Sequence, residues 1–365
     1  ADAAKNVANK ILESLAGPFS FMQEQLHVTT SIGLALYPDN GQTVAELMKQ
    51  ADTAMFQVKS SGGNAYLMYD DGMEQDITKQ LALENEIQRA LQENEFVLFY
   101  QPQTDLKTNV ITGCEALIRW QHPERGLLSP FEFISFAEKS GLINDIGYWV
   151  LDRSCQQLRE WLDKNSTHDI PIAVNVSGKE LANNVLLEKV KTAIEKHKIP
   201  PHLIKLEITE DTLVGGDENT TNQLHELRDF GIRLAIDDFG TGYSSLSYLK
   251  LFPIDTLKID RSFVRDIPDN ANSDAIITGI ISLGHSLNLK VIAEGIETEE
   301  QRDFLREKGC DIMQGYLLSK PVPTAEFEEW VEQHNQNHNT LYSSSTANNE
   351  STNKKGGANP TPPIS

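Results

Sequence analysis

The sequence predicts an α/β protein whose larger part is a (β/α)8-type barrel. From Glu95 onward, short apolar runs alternate with amphipathic helical stretches. Eight such runs fit within roughly 240 residues, which is the size of one such barrel. An acid, an amide or a lysine stands at the end of nearly every run, where barrels carry their functional groups. A doubly wound sheet is the alternative. It predicts a glycine-rich phosphate-binding turn after the first strand, and the sequence has none there.

Composition and charge exclude several classes of protein. The chain has 365 residues and a formal net charge of −21, which argues against nonspecific binding to DNA or anionic membranes. No run of about 18 or more apolar residues is present to span a membrane, and we find no signal peptide. Cys114, Cys155 and Cys310 lie far apart without metal-type spacing. We therefore expect reduced thiols in a cytoplasmic protein, or in the cytoplasmic part of a longer membrane-anchored one.

Residues 1–72 are predicted to form a small α/β segment that is only part of a domain. Apolar spacing indicates two helices and three strand-like runs. Pro38–Gly41 predicts a turn, and Thr43 can cap the second helix. The predicted elements are a helix over Ala3–Leu15, strands over Phe19–Gln25 and Val28–Tyr37, a helix from Thr43 through Val58 and a strand over Ala65–Tyr69.

A connecting helix, residues 73–94 with its periodic part over Asp76–Glu93, leads into a barrel assigned to residues 81–334. Residues 335–365 are rich in Asn, Ser and Thr, so they are predicted to be a disordered tail. The predicted barrel strands are Phe96–Gln101, Ile111–Trp120, Ile170–Val176, Leu203–Ile208, Arg233–Ile236, Thr256–Ile259, Lys290–Ala293 and a short one near Ile312. The predicted helices between them are Pro130–Lys139, Ile143–Leu162, Lys179–His197, Thr221–Phe230, Ser273–Leu287 and Glu299–Glu307.

Two adjacent carboxylates, Asp237 and Asp238, end one buried strand and precede a loop that contains Gly240 and Gly242. Neighbouring carboxylates in such a place repel each other and lose solvation, so we expect a cation beside them. Oxygen ligands of this kind suit Mg²⁺ or Mn²⁺. For this stretch alone an exposed turn is the alternative, because Asp and Gly are common turn residues.

Other strands carry similar polar groups. Period-two alternation places Glu115, Leu117 and Arg119 on one face of their strand. Polar groups within apolar strands are costly unless they are paired or bound to metal. Each one alone is typical of a helix or of a satisfied strand edge, whereas the ordered set indicates one shared site. The set is Glu115, Asn175, Glu207, Glu210, Asp237, Asp238, Lys258, Glu294, Glu297 and Gln314.

Two motifs near the amino terminus carry a resemblance to a known family. The stretches Thr30–Pro38 and Ala51–Met55 resemble the C-terminal half of a GGDEF (diguanylate cyclase) domain. The half that carries the cyclase signature is absent, and Gly62-Gly63-Asn64 is not that signature. The resemblance implies a partial α/β GGDEF fragment without cyclase activity.

The motifs at the barrel strand ends, taken in order, resemble the EAL-domain cyclic di-GMP phosphodiesterases over about Leu81–Val331. They are Glu115-Ala116-Leu117, Asn175, Glu207-Ile208-Thr209-Glu210, Asp237-Asp238-Phe239-Gly240, Lys258, Glu294-Gly295-Ile296-Glu297 and Gln314-Gly315-Tyr316. The resemblance implies a modified TIM-type barrel with one antiparallel strand. It also implies hydrolysis of cyclic di-GMP, a bacterial second messenger, to linear pGpG by two-metal activation of water with Mg²⁺ or Mn²⁺.

Carried over by position, the resemblance implies roles for individual residues. Lys258 would hold or activate the attacking water, and Glu294 and Glu210 join it in the catalytic set. Glu210 would anchor the loop Asp238–Ser245, which in the family couples dimerisation to metal and substrate binding. The implied metal ligands are Glu115, Asn175, Glu207, Asp237 and Asp238, completed by Glu294 and Gln314 directly or through water. The implied substrate contacts are Gln101, Glu115, Leu117, Arg119, Asn175, Asp238, Glu297, Tyr316 and Pro321.

A second function stays open at this point, that of a non-catalytic cyclic di-GMP receptor. Receptors of this family lose acids or the loop sequence, whereas this chain retains the acids, the amide and the lysine of the motifs above, so a phosphodiesterase is favoured. The expected partners are cyclic di-GMP and a second copy of the chain in a homodimer. We expect no DNA and no membrane contact from this segment.

Overall fold

The computed structural model describes residues 1–336 apart from 22–23, 27, 61–62, 165–168, 184, 215–217, 243–248 and 250. Nearly all of the predicted disordered tail therefore lies outside the described residues. The chain divides into two compact units, one made of residues 1–96 and 120–143, the other of residues 97–119 and 144 onward. The sequence-based domain boundaries stay predictions.

The amino-terminal elements are confirmed in order, with shorter strands than predicted. The predicted strand Phe19–Gln25 is a hairpin of two strands, and Val28–Tyr37 contains a strand of only three residues. The elements are α1 (Asp2–Leu15), β1 (Phe19–Phe21), β2 (Glu24–Leu26), β3 (Ile32–Leu34), α2 (Val44–Ser60), β4 (Tyr66–Met68) and α3 (Met73–Glu93).

Helix α2 lies close against β3 and begins at the predicted cap. The Glu46 amide donates to Thr43 Oγ1, and the Thr43 amide donates to the Glu46 carboxylate, each at 3.2 Å. This reciprocal pair satisfies amides at the start of the helix. Gly33 in β3 allows the close approach, because a Cβ there would collide with the backbone carbonyl of Ala51. Strands β3 and β4 pair in parallel beneath the helix.

The predicted eight-stranded barrel is confirmed. Its ring runs β5-β13-β12-β11-β10-β9-β8-β6 and closes through pairing of β6 with β5, while β7 and β14 are short additions. All neighbours from β6 through β13 are parallel, whereas β5 is antiparallel to β13. This is the single antiparallel strand implied by the resemblance. The strands are β5 (Phe96–Asp105), β6 (Ile111–His122), β7 (Gly126–Leu128), β8 (Ile172–Val176), β9 (Ile204–Thr209), β10 (Arg233–Phe239), β11 (Thr256–Ile259), β12 (Lys290–Ala293), β13 (Ile312–Met313) and β14 (Val322–Pro323).

Two predicted helices prove to be interrupted. Pro130–Lys139 is a 3-10 turn over Pro130–Glu132 followed by α4. Lys179–His197 is two helices, because the first ends at Ala182 and the backbone of the next residue, Asn183, is extended. The helices are α4 (Ile134–Ser140), α5 (Ile143–Lys164), α6 (Gly178–Ala182), α7 (Leu186–His197), α8 (Glu210–Val214), α9 (Glu218–Asp229), α10 (Arg261–Val264), α11 (Ala271–Ser286), α12 (Glu299–Glu307) and α13 over residues 324–336.

Alternation along the barrel strands separates the apolar core from the polar interior. In β9, the buried Ile204, Leu206 and Ile208 alternate with Lys205 and Glu207. The apolar set packs the strand while the polar set occupies the other face. Within the described part of the chain, no helix combines the length and apolarity needed to cross a membrane. Cys114, Cys155 and Cys310 are free, as the spacing predicted, and the structure buries all three.

Candidate functional site

Polar side chains converge at the carboxyl ends of the parallel strands. Strand register aligns two of them, since Asn175 of β8 is the direct partner of Glu207 of β9. Glu115 lies in β6, Asp237 and Asp238 end β10, and Lys258 lies in β11. Glu294 and Gln314 follow β12 and β13 by one residue. The structure thus brings the predicted metal ligands and the predicted lysine to one end of the barrel.

Lys258 lies at the centre of this cluster and is fully buried. Its Nζ lies 2.5 Å from Glu207 Oε2 and 2.7 Å from Glu294 Oε1. It also lies 3.1 Å from Asp237 Oδ1 and 3.7 Å from Glu115 Oε2. One ammonium group is therefore shared by four carboxylates from four different segments of the barrel.

Amide groups hold the two oxygens of Glu115. Asn175 Nδ2 donates to Glu115 Oε1 at 2.7 Å, and Gln314 Nε2 donates to Glu115 Oε2 at 2.6 Å. Gln314 Nε2 also contacts Gln101 Oε1 at 3.1 Å, while Gln314 Oε1 accepts from Gln103 Nε2 at 2.8 Å. The remaining oxygen of Asn175 is thus the atom of that amide suited to a cation, whereas the oxygen of Gln314 is engaged by Gln103.

Asp238 adopts a left-handed backbone conformation, with φ of +54°. Its amide donates to Asp237 Oδ1 at 2.9 Å, so the Asp237 carboxylate is held against the Asp238 backbone. Beyond it, the Gly240 amide donates to Glu210 Oε2 at 2.7 Å. This bond agrees with the predicted anchoring of the loop Asp238–Ser245 by Glu210, although residues 243–245 of that loop lie outside the described residues.

Burial and mutual repulsion shift the ionisation of the cluster. Burial, reinforced by Glu115 and Asp237, raises the pKa of Glu207 to about 8. Burial and Asp237 raise the pKa of Asp238 to about 6. The pKa of Glu294 is raised well above its ordinary value by burial and by neighbouring carboxylates. Burial and like charge both disfavour the ionised carboxylates, so a nearby cation would stabilise their ionised forms.

Lys258 responds in the opposite sense to its surroundings. Burial alone would lower its pKa, but Asp237, Glu115, Glu207 and Glu294 together raise the pKa well above its ordinary value. The lysine is therefore a strong hydrogen-bond donor held as an ammonium group. One such cation opposes only part of the charge that the carboxylates can carry.

The donor set fits divalent cations. Asp237, Asp238 and Glu294 each offer an oxygen within 4.8 Å of the other two, close enough for one ion to bind all three. Glu207 Oε1 is buried and has no hydrogen-bond partner among the described residues, which is costly unless a cation takes that position. Oxygen-only ligands of high charge match Mg²⁺ or Mn²⁺.

The predicted substrate contacts outside the cluster lie in β5 and β6 or in the segments that follow β12 and β13. Leu117 and Arg119 are half-buried, and the Arg119 guanidinium lies 5.5 Å from the ring centre of Phe99. Glu297 and Tyr316 are exposed, and Lys320 Nζ lies 5.4 Å from the ring centre of Tyr316. Pro321 is half-buried. Gln101 Nε2 donates to the Ser319 carbonyl at 3.1 Å. The roles of these residues stay predictions.

Gln103 is the member of the polar network that sequence reasoning missed. It lies in β5 two residues after Gln101, and only 1% of it is exposed. A second glutamine at period two in an apolar strand was the available signal. Its partner, however, is 211 residues away in the chain, so no local pattern could connect the two.

Fold and site together define the class of protein: an α/β barrel with a carboxylate-rich candidate metal centre at the carboxyl ends of its strands. The family model described as the EAL domain matches residues 84–321. The model described as the diguanylate cyclase GGDEF domain matches residues 1–65. The chain belongs to the EAL domain family.

Individual relatives agree with this assignment. The curated protein "Bifunctional diguanylate cyclase/cyclic di-GMP phosphodiesterase MucR" of Pseudomonas aeruginosa is 42% identical over 323 residues, covering 88% of this chain and 47% of that protein. "Cyclic di-GMP phosphodiesterase NbdA" of the same organism is 39% identical over 325 residues, covering 89% of this chain and 41% of that protein. The chain thus spans less than half the length of either relative.

A solved structure titled "PaMucR Phosphodiesterase, c-di-GMP complex" is also similar. It is 43% identical to this chain with a TM-score of 0.65, and the match covers 67% of this chain and 99% of that one.

Proposed function

We propose that this chain is a metal-dependent phosphodiesterase that hydrolyses cyclic di-GMP to linear pGpG. The observation that carries the proposal is the cluster of Glu115, Glu207, Asp237 and Glu294 around the Lys258 ammonium, with Glu207 Oε1 buried and unpartnered among the described residues. Two relatives named for phosphodiesterase activity, and one solved as a complex with c-di-GMP, support the choice of substrate.

The residues that would hold two divalent cations, Mg²⁺ or Mn²⁺, are carboxylates and one amide. When bound, the ions supply positive charge that lowers the pKa of a water molecule and neutralises the phosphoryl oxygens of the substrate. The proposed ligands are Glu115, Asn175, Glu207, Asp237, Asp238 and Glu294. Gln314 is a further predicted ligand, although its side-chain oxygen accepts a hydrogen bond from Gln103 in this structure.

Lys258 supplies a fixed positive charge that does not compete as an oxygen ligand. Its Nζ carries three protons, which it can donate to carboxylates, to a water molecule or to a phosphoryl oxygen. Because the surrounding carboxylates hold it in place, we propose that it orients the attacking water. The carboxylates around it, and not Lys258, are the groups able to accept a proton.

The residues around the carboxylate cluster supply contacts of the kinds that a cyclic dinucleotide needs. The half-buried Arg119 can form charge-assisted hydrogen bonds with phosphate oxygens or guanine edges. The exposed ring of Tyr316 can stack with a base. The remaining proposed contacts are Gln101, Leu117, Glu297 and Pro321, together with Glu115, Asn175 and Asp238 from the cluster.

Product analysis tests this proposal. We expect the full chain to convert cyclic di-GMP to pGpG with Mg²⁺ or Mn²⁺ and to form no product in EDTA, as followed by chromatography. Glu115→Gln should lower turnover by on the order of 100-fold or more, because a charged cation ligand is lost. Glu188→Gln alters a carboxylate that is 76% exposed in α7 and should leave turnover unchanged.

A receptor without catalysis predicts a different result. Cyclic di-GMP would bind in calorimetry, yet the full chain would release no pGpG with either ion. Such an outcome would reject the phosphodiesterase. The expected homodimer would be tested separately, by sedimentation of the same sample with and without divalent ions.

A further inference from the structure

A second glutamine of β5, Gln103, is connected to the candidate metal site through the side chain of Gln314. Gln101 and Gln103 share one face of the strand, and both are buried. Gly113 in neighbouring β6 leaves room for Gln103, because a Cβ at that position would approach Gln103 Oε1 to 3.1 Å. Thr112 Oγ1 donates to the Gln103 carbonyl at 3.3 Å. Gln103 is therefore held on both its main chain and its side chain.

The orientation of the Gln314 amide follows from the chemistry of its neighbours. Two side-chain oxygens, Glu115 Oε2 at 2.6 Å and Gln101 Oε1 at 3.1 Å, lie against one end of this amide. Only the NH₂ group can meet two acceptors, because a carbonyl oxygen there would be repelled by both. The carbonyl must then point the other way, where Gln103 Nε2 donates to it at 2.8 Å.

We propose that Gln103 is a positioning residue that holds Gln314 as a hydrogen-bond donor to Glu115. Gln103 supplies the donor on the carbonyl side of Gln314. Without that donor, the buried Gln314 carbonyl would lack a partner, which is costly and favours displacement of the amide away from Glu115. Gln103 thus holds Gln314 in the position from which its NH₂ group donates to the carboxylate cluster.

Gln103 would influence cation binding by way of Glu115, which Gln314 helps to orient. Asn175 and Gln314 donate to its two oxygens from either side, so the plane of the carboxylate is set by these two amides. Partners of this kind orient the groups that bind a metal, and their loss typically weakens metal affinity by about 10- to 100-fold. This inference rests on the proposed function only in requiring that the cluster binds divalent cations.

Titration of the substrate-free full chain with Mn²⁺, read by electron paramagnetic resonance of the free ion, tests the inference. Gln103→Met removes the donor and keeps an unbranched chain of similar length. We expect it to raise the Kd for Mn²⁺ by about 10- to 100-fold. Gln314→Met should do the same. The double variant should bind no more weakly than either single variant, because both act on one chain of hydrogen bonds.

A merely structural role predicts another pattern. In that case Gln103→Met would lower the melting temperature in EDTA and leave the Kd for Mn²⁺ unchanged, or its effect would multiply with that of Gln314→Met. Either result would overturn the inference. Gln157→Met is the matched control, since Gln157 is a buried glutamine of α5 whose Oε1 accepts from Thr324. Its Kd should equal that of the unaltered chain.

Two further outcomes are distinguishable. If the unaltered chain binds no Mn²⁺, the proposed function fails. If it binds Mn²⁺ and Gln103→Met binds equally well, only the present inference fails. Should Gln103→Met not fold, Gln103→Leu removes the same donor with a side chain of similar volume. It should weaken Mn²⁺ binding similarly, and an unchanged Kd would reject the role of Gln103.

Discussion

A single buried ammonium group among carboxylates dominates the site at the scale of residues. Lys258 contacts Glu207, Glu294, Asp237 and Glu115, and none of its surface is exposed. Taking a charge out of water costs several kcal/mol, which only close opposite charges can offset. Because the carboxylates outnumber the cation, Lys258 and divalent ions act on the same excess of negative charge.

Replacement of the lysine tests this balance. We expect Lys258→Met to lower the free energy of unfolding by about 3–5 kcal/mol in EDTA, because four carboxylates lose the ammonium group that they share. Mn²⁺ should recover part of this loss by supplying positive charge to the same oxygens. Urea unfolding with EDTA and with Mn²⁺ measures both. Equal losses in the two conditions would contradict the shared role.

The control for that substitution is Lys290→Met. Lys290 is 66% exposed and lies 3.4 Å from Asp311. An exposed pair of this kind contributes less than about 1 kcal/mol, so the variant should be nearly as stable as the unaltered chain.

Glu95 gives a pH-dependent contribution at the same scale. Its carboxylate accepts from Trp120 Nε1 at 2.9 Å and from Arg89 Nε at 3.0 Å. Burial alone would raise the pKa of Glu95, but the bonds from Trp120 and Arg89 outweigh burial and lower the pKa. The folded state therefore favours the ionised form.

The sign of the pH effect follows. Glu95 stabilises the fold above the ordinary glutamate pKa, and this contribution is lost as the pH falls through the lowered folded pKa. Glu95→Gln should cost about 1 kcal/mol near pH 7, since Gln can still accept from Trp120 and the partly exposed Arg89 is screened by solvent. Unfolding at several pH values should show the difference shrinking in acid. A difference independent of pH would contradict this account.

At the scale of elements, the segments that follow β12 and β13 are joined by backbone hydrogen bonds. The Ile296 amide donates to the Gln314 carbonyl at 3.2 Å, and the Leu317 amide donates to the Ile296 carbonyl at 2.9 Å. Gly315 lies between them, and a Cβ there would collide with the backbone of Ile296. These bonds join the segment that carries Glu294 to the segment that carries Gln314.

We expect Gly315→Ala to separate the two segments, lowering stability by about 1–3 kcal/mol and weakening Mn²⁺ binding, because backbone cannot yield as a flexible side chain can. Gly279→Ala is the control: Gly279 lies in α11, and a Cβ there would meet no atom within 4 Å. Alanine is the better helix former, so this variant should gain up to about 1 kcal/mol. Thermal unfolding of both variants measures the contrast. Equal effects of the two substitutions would show that Gly315 is not closely packed against Ile296.

At the scale of the whole molecule, a net charge of −21 sets how the protein responds to ions. Monovalent salt screens the repulsion among exposed carboxylates, whereas it screens buried groups much less. Divalent ions bound at the barrel end act differently, because binding to the folded state alone stabilises it by mass action.

Mn²⁺ at about 100 times its Kd should therefore add about 2.7 kcal/mol to the free energy of unfolding beyond KCl of the same ionic strength. Thermal unfolding in the two salts measures this excess. Glu115→Gln should lose most of it, and Glu188→Gln should keep it. If KCl stabilises the protein as much as Mn²⁺ does, the gain comes from screening and no specific cation site is needed.

The sequence alone determined the barrel, its strand order along the chain and the set of polar residues at the strand ends. Periodicity was sufficient for this: the strands Thr256–Ile259 and Lys290–Ala293 and the helix Glu299–Glu307 have the predicted bounds. Local pattern was insufficient where the backbone conformation of a single residue ends a helix. The extended backbone of Asn183 follows α6, so the predicted helix is divided into α6 and α7.

Only the tertiary structure decided which polar groups contact one another. The four carboxylates around Lys258 come from strands far apart in the chain, and the bond from Gln103 to Gln314 joins residues 211 positions apart. Closing the barrel creates these contacts. Each one depends on differences in interatomic distance of a few tenths of an ångström, and the amide contacts also depend on which end of the amide faces a carboxylate. Hydrophobic periodicity carries no information about either quantity, because it reports which face of an element is buried and not what lies opposite that face.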